Sequence, residues 1–133
     1  MAALPEPAAC HQVFVCTACR DAAAYALPGA ALLQTLHQAF AASGLSDRFT
    51  VSGVRCMAGC TRPCTVGFAA NGKAAWLFGD LGPEDCNDIV AFAGLYASLH
   101  DGWCPSTDRP GKLSRSALAR IPSLPPGLNE GAE

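Results

Sequence analysis

The chain has little charge and no long apolar segment, and both features exclude classes of protein. Only 15% of its 133 residues are charged, and the formal net charge is −2. A nucleic-acid-binding domain carries clustered positive charge, so we expect no nucleic-acid partner. No apolar run approaches the roughly 18 residues of a membrane span, so we expect no membrane partner. The N-terminal residues lack the basic start and apolar core of a secretory signal, which predicts a cytoplasmic protein.

Cysteine, by contrast, is abundant. The chain has eight cysteines, a density below that of small disulfide-stabilised scaffolds. In a reducing compartment, clustered cysteines are more often metal ligands or redox groups than structural disulfides. Hydrophobic residues make up 50% of the chain, which excludes a disordered protein. The composition therefore predicts one folded domain whose function depends on its cysteines.

The hydrophobic pattern predicts a strand, a helix and a second strand, followed by a hairpin and a second helix. Strands are predicted at 11–15, 49–54, 65–69 and 73–78, and helices at 28–44 and 82–102. Asn71 and Gly72 tolerate the positive φ angles of a type I′ hairpin turn. A strand–helix–strand unit implies a parallel pair, and the hairpin adds two antiparallel strands. We therefore predict an α/β fold with a four-stranded mixed sheet, the element order of a thioredoxin-like sandwich, which other α/β sandwiches share.

The same pattern predicts three parts of the chain. Residues 1–10 are predicted to be a flexible leader, and residues 11–103 the folded domain. Residues 104–133 hold five of the ten prolines and a run of basic residues, so we predict a partly docked, Pro-rich basic tail.

Five of the cysteines form two groups, and each group follows a predicted strand. The first group is Cys16 and Cys19, and the second is Cys56, Cys60 and Cys64. In a parallel strand–helix–strand unit, both strands end at the same edge of the sheet. The two groups should therefore lie close together in the folded protein.

Four thiolates in two pairs suit two kinds of metal group. Tetrahedral zinc takes four cysteines, and a [2Fe–2S] cluster also takes four. The spacing alone does not separate these alternatives. Arg20, Arg55 and Arg62 lie near the cysteines in sequence and would offset the negative charge of such a site. Gly59 would let backbone N–H groups approach sulfur.

A third interpretation is a redox-active dithiol. Cys16 and Cys19 form a C-x-x-C motif after a strand, which is the usual context of a thiol–disulfide oxidoreductase. That interpretation leaves the second cysteine group without a role. The remaining cysteines, Cys10, Cys86 and Cys104, are expected to be buried or incidental thiols.

Several segments carry a resemblance to a known group of proteins. The segment VRCMAGC at 54–60, followed by KAAWLFGDL at 73–81, resembles the second half of thioredoxin-like [2Fe–2S] ferredoxins, a group that includes a small subunit of respiratory NADH dehydrogenase. The chain also resembles a bacterial family of predicted metal-binding proteins assigned to that fold. That second resemblance rests on VCTACR at 15–20, RPCTV at 62–66 and LFGDL at 77–81.

The resemblance implies a small electron-transfer protein rather than an enzyme, with one [2Fe–2S] cluster. It implies ligands at Cys16, Cys19, Cys56 and Cys60. Cys64 stands where the better-known ferredoxins usually carry proline, so it is either a substitute ligand or an unligated thiol beside the cluster. The partner would be a redox protein, such as a reductase or an oxygenase-type enzyme. A homodimer is a further expectation. The alternatives are a zinc-binding or metal-delivery module and a thiol–disulfide oxidoreductase acting through the first cysteine group.

Overall fold

The structure is a computed structural model that describes residues 11–18, 28–55, 57 and 64–123. Five strands and two α-helices follow one another along these residues in the order β-α-β-β-β-α-β, with short 3₁₀ turns at 83–85, 106–108 and 111–114. The strands are β1 (His11–Cys16), β2 (Phe49–Val54), β3 (Val66–Ala70), β4 (Ala75–Phe78) and β5 (Ala117–Ile121). The helices are α1 (Pro28–Ala42) and α2 (Cys86–Ser98). Neither of these helices has the length and apolar character needed to cross a bilayer.

The strands form one mixed sheet in the order β2-β1-β3-β4-β5. β1 pairs with β2 in parallel, and the pairs β1–β3, β3–β4 and β4–β5 are antiparallel. The predicted α/β class is confirmed. In this topology the carboxyl ends of β1 and β2 and the start of β3 lie at one edge of the sheet, which we call the cysteine edge.

The predicted number of strands was one too few. β5 pairs with β4 and lies within the segment that we expected to be a Pro-rich tail. Its residues are half-buried or exposed, and Ile121 is 61% exposed. An edge strand of this kind joins the sheet through backbone hydrogen bonds, so it lacks the alternation of apolar residues that reveals a strand in a sequence. The predicted leader, 1–10, and residues 124–133 lie outside the described residues.

The hairpin between β3 and β4 is present, but its turn differs from the prediction. The Lys73 N–H donates to the Ala70 carbonyl at 3.2 Å, which closes a four-residue turn. Gly72 has a φ of 75°, whereas Asn71 does not take a positive φ. The turn is therefore not of type I′, which requires positive φ at both central residues.

Both helices pack on one face of the sheet. Phe40 of α1 contacts Phe49 of β2 with ring centroids 5.5 Å apart, and Phe92 of α2 contacts Phe68 of β3 at 4.8 Å. Trp76 also contacts Phe92, and its indole N–H donates to the Gly102 carbonyl at 2.8 Å. This face holds the aromatic core. Its close packing fixes the strands that end at the cysteine edge.

Candidate functional site at the cysteine edge

The cysteine edge is held together by backbone hydrogen bonds between three strand ends. The Thr17 N–H, just beyond β1, donates to the Val54 carbonyl of β2 at 2.8 Å. The Cys16 N–H donates to the Thr65 carbonyl, just before β3, at 3.0 Å. The segments that carry the two predicted cysteine groups therefore start from adjacent positions on the sheet.

The structure brings together one thiol from each group. The side chains of Cys16 and Cys64 are each only 1% exposed. The Cys64 S–H donates to the Cys16 carbonyl at 3.5 Å, and the Cys16 S–H donates to the Arg55 carbonyl at 3.8 Å. The sequence pattern identified both residues, but their contact depends on the pairing of β1 with β3.

A glycine allows α1 to pack closely on the end of β1. A Cβ at Gly29 would overlap the Cys16 carbonyl oxygen and would lie 3.0 Å from the Cys16 carbonyl carbon. The first turn of α1 therefore rests directly on the backbone of Cys16. The N-terminus of this 15-residue helix, which is the positive end of its dipole, therefore lies beside the Cys16 backbone. Our sequence analysis missed Gly29, and the Pro-Gly pair at the helix start was the only signal for it.

A buried hydroxyl at the same edge lacks a hydrogen-bond partner within the described part of the chain. Thr65 is 0% exposed, and its Oγ1 forms no hydrogen bond with any of the residues that the structure describes. Leaving such a group unpaired costs about 1–3 kcal/mol. The residues present therefore fit a bound group with hydrogen-bond acceptors at this edge, such as a thiolate-ligated metal group. Neither the pattern of apolar residues nor the cysteine spacing pointed to Thr65.

Met57 shows where part of the second cysteine segment lies. Its Sδ lies 3.6 Å from the position that a Cβ on Gly67 would take, and Gly67 pairs with Phe14 across β1 and β3. Because side chains alternate along a strand, Phe14 and Cys16 share one face of the sheet. Met57 thus packs over the face that carries Cys16.

The rest of the predicted site falls outside the described residues. This holds for Cys19, Cys56, Cys60, Arg20, Gly59 and Arg62. Arg55 is described, and it is exposed beside the carbonyl that accepts from the Cys16 thiol. Within the described residues no group of three or more side chains could hold a metal ion. The four-cysteine ligand set therefore stays a prediction.

Two other cysteines, the half-buried Cys86 and the buried Cys104, have the properties of structural thiols. Burial raises the pKa of the Cys86 thiol. Burial also raises the pKa of Cys104, an effect that the nearby Arg109 opposes in part. Thiols with a raised pKa stay protonated near neutral pH and are poor nucleophiles and ligands.

A histidine lies at the far end of β1 from Cys16. The His11 side chain is buried, and its Nε2 lies 3.0 Å from the Lys73 Nζ while its Nδ1 lies 3.2 Å from the Arg48 carbonyl oxygen. Burial, followed by the positive charge of Lys73, lowers the pKa of His11. A neutral imidazole is therefore part of the packing at this end of the sheet.

Comparison with solved structures defines the class of fold. A thioredoxin-like [2Fe–2S] ferredoxin from Aquifex aeolicus aligns with a TM-score of 0.57 at 18% identity, over 90% of this chain and 97% of that chain. A cysteine-to-serine variant of the A. aeolicus ferredoxin aligns with a TM-score of 0.54 at 15% identity, over 82% of this chain and 98% of that chain. At these identities the likeness concerns the fold alone, and the predicted thioredoxin-like fold is confirmed.

The family is defined by the sequence itself. Residues 13–123 match the family described as "Protein of unknown function (DUF1636)", and the chain belongs to that family. A search of curated proteins gave no match.

Proposed function

We propose that this protein is a small iron–sulfur electron carrier that holds one [2Fe–2S] cluster on four cysteines. The observation that carries the proposal is the pair of buried thiols, Cys16 and Cys64, from separate cysteine segments at one edge of the sheet. The thioredoxin-like fold, shared with [2Fe–2S] ferredoxins, supports this choice over zinc. It also supports a carrier rather than an enzyme.

The proposed ligands are Cys16, Cys19, Cys56 and Cys60, as the resemblance implies. When bound, the cluster would accept and release one electron at a time. The Cys16 side chain is only 1% exposed, so little water reaches this ligand. Cys64 donates its S–H to the Cys16 carbonyl and so holds the ligand's backbone in place. In this proposal Cys64 is a thiol beside the cluster that could substitute for a ligand.

Positive charge at the edge would serve both the cluster and its partner. A cluster on four thiolates is anionic, and reduction adds a further negative charge. The exposed Arg55, and by proposal Arg20 and Arg62, would favour the reduced form. The same charges would attract an acidic surface on a redox partner, such as a reductase or an oxygenase-type enzyme. The proposal places this electron transfer in the cytoplasm. It also includes a homodimer as the form of the protein.

The direct test is a visible absorption spectrum of anaerobically purified protein, together with iron, acid-labile sulfide and zinc analysis. We expect a coloured protein with iron and sulfide in the equal amounts of a [2Fe–2S] cluster. Cys16→Ser should lose the colour, whereas Cys104→Ser is the matched control at a buried cysteine outside the site and should keep it. Colourless protein with bound zinc would support the metal-binding module. Metal-free protein with a reversible disulfide between the first-group cysteines would support the oxidoreductase.

The same measurement tests the ligand assignment. Cys64→Ala should still assemble the cluster, because the four proposed ligands remain. Cys60→Ala should assemble little or none. The opposite pattern, with assembly lost only in Cys64→Ala, would assign the fourth ligand to Cys64.

A further inference from the structure

Thr65 lies opposite Cys16 where β3 pairs with β1. In the antiparallel pairing of β1 with β3, Val15 lies opposite Val66. The hydrogen bond from the Cys16 N–H to the Thr65 carbonyl, at 3.0 Å, continues that register by one residue. Residues that oppose each other in an antiparallel pair project from the same face, with Cβ atoms about 4.5–5.5 Å apart. The Thr65 side chain is therefore a direct neighbour of the Cys16 side chain.

The Thr65 hydroxyl differs from that of the other threonine at this edge. The Thr17 hydroxyl donates to the Val54 carbonyl at 3.2 Å. The Thr65 hydroxyl is fully buried and has no hydrogen-bond partner within the described part of the chain. Buried hydroxyls are nearly always paired, so this one indicates an acceptor that belongs to the complete site.

The chemistry of the site indicates what that acceptor is. A thiol sulfur accepts hydrogen bonds weakly, whereas an anionic thiolate or sulfide accepts them strongly. Metal binding would convert the Cys16 thiol to a thiolate and would thereby create a strong acceptor beside Thr65.

We propose that the Thr65 hydroxyl donates a hydrogen bond to sulfur at the cluster site, either the Cys16 thiolate or a cluster sulfide, and so raises the reduction potential. This inference rests on the proposed function. Because reduction adds negative charge to the sulfurs, a hydrogen bond to sulfur stabilises the reduced form more than the oxidised form. Thr65 is thus a positioning and tuning residue and not a ligand.

The test compares three variants of the full chain with its cluster. Thr65→Val keeps the shape of the side chain and removes the hydroxyl, and Thr65→Ser keeps the hydroxyl. Thr17→Val is the matched control, since it removes a hydroxyl from the same edge that already has a carbonyl partner. The midpoint potential of each is measured by redox titration followed in the visible spectrum. A second measurement records the shift of the Fe–S stretching bands on transfer to deuterated water.

We expect a lower midpoint potential and a smaller deuterium shift in Thr65→Val, wild-type-like values in Thr65→Ser, and a smaller change in Thr17→Val. Loss of the cluster in Thr65→Val with retention in Thr65→Ser would also support the role of the hydroxyl. An unchanged potential and deuterium shift in a cluster-bearing Thr65→Val would overturn this inference and leave the proposed function intact. Wild-type protein without iron and sulfide would instead refute the electron carrier, and with it the role of Thr65.

Discussion

Replacing Gly29 with alanine tests whether α1 rests on the end of β1 that carries Cys16. The added Cβ would overlap the Cys16 carbonyl oxygen and would lie 3.0 Å from the Cys16 carbonyl carbon and 3.1 Å from the Thr17 Cα. All three neighbours are backbone atoms, which cannot rotate away as a flexible side chain can. Either the first turn of α1 or the end of β1 must therefore move.

The structure gives the sign and scale of the effect. Overpacking a tight site costs about 1–3 kcal/mol, and alanine regains at most about 1 kcal/mol of helix propensity over glycine. We expect Gly29→Ala to lower the free energy of unfolding by about 1–2 kcal/mol. At about 4 °C per kcal/mol for a domain of this size, Tm should fall by about 4–8 °C. The visible spectrum of the proposed cluster should change as well, because the shift reaches Cys16.

Gly94 provides the matched control. It is exposed within α2, and a Cβ there would meet nothing within 4 Å. Gly94→Ala should therefore raise the free energy of unfolding by about 0.5–1 kcal/mol through helix propensity alone. Thermal and urea unfolding, followed by far-UV circular dichroism, measures both variants against the wild type. If Gly29→Ala is as stable as Gly94→Ala, the proposed contact between α1 and the end of β1 is wrong.

Two further predictions concern the end of the sheet opposite the cysteine edge. Because the pKa of His11 is lowered in the folded protein, the unfolded chain binds more protons below its ordinary value of about 6.5. The free energy of unfolding should be highest above that pH and should fall as the pH drops from there toward the lowered pKa of the folded state. Urea unfolding measured across this pH range should show a much flatter profile in His11→Gln. An equal pH dependence of the free energy of unfolding in both proteins would exclude His11 as the cause. The Tyr96 hydroxyl donates to the Ala74 carbonyl at 2.6 Å within the core. Tyr96→Phe should lower the free energy of unfolding by about 1–2 kcal/mol, because it leaves that carbonyl unpaired, and an unchanged urea midpoint would contradict this.

Local sequence patterns predicted most of the elements that position the site. The apolar repeat beginning near Pro28 and the glycine at position 44 predicted α1, and Gly44 has the positive φ of 78° that suits a helix end. Spacing along the chain also predicted that β1 and β2 run in parallel and that each precedes a cysteine group. These features follow from periodicity and turn chemistry, which operate over a few neighbouring residues.

Features that depend on weak local signals were predicted less well. β5 is exposed on an edge and has no apolar alternation, so a proline-rich composition suggested a tail. The Asn71–Gly72 pair predicted a hairpin correctly but not its turn type, because the surrounding strands determine which φ angles the turn takes. In both cases the deciding interactions are backbone hydrogen bonds between segments.

Only the tertiary structure revealed which residues surround the Cys16 thiol. The cysteine spacing identified Cys64 as a candidate, but its S–H contact with the Cys16 carbonyl depends on the pairing of β1 with β3. The close approach of Gly29 depends on the packing of α1 against β1. Only the positions of neighbours in space show that the Thr65 hydroxyl has no hydrogen-bond partner among the described residues. Burial and hydrogen-bond satisfaction are properties of neighbours in space, whereas a sequence pattern describes neighbours along the chain.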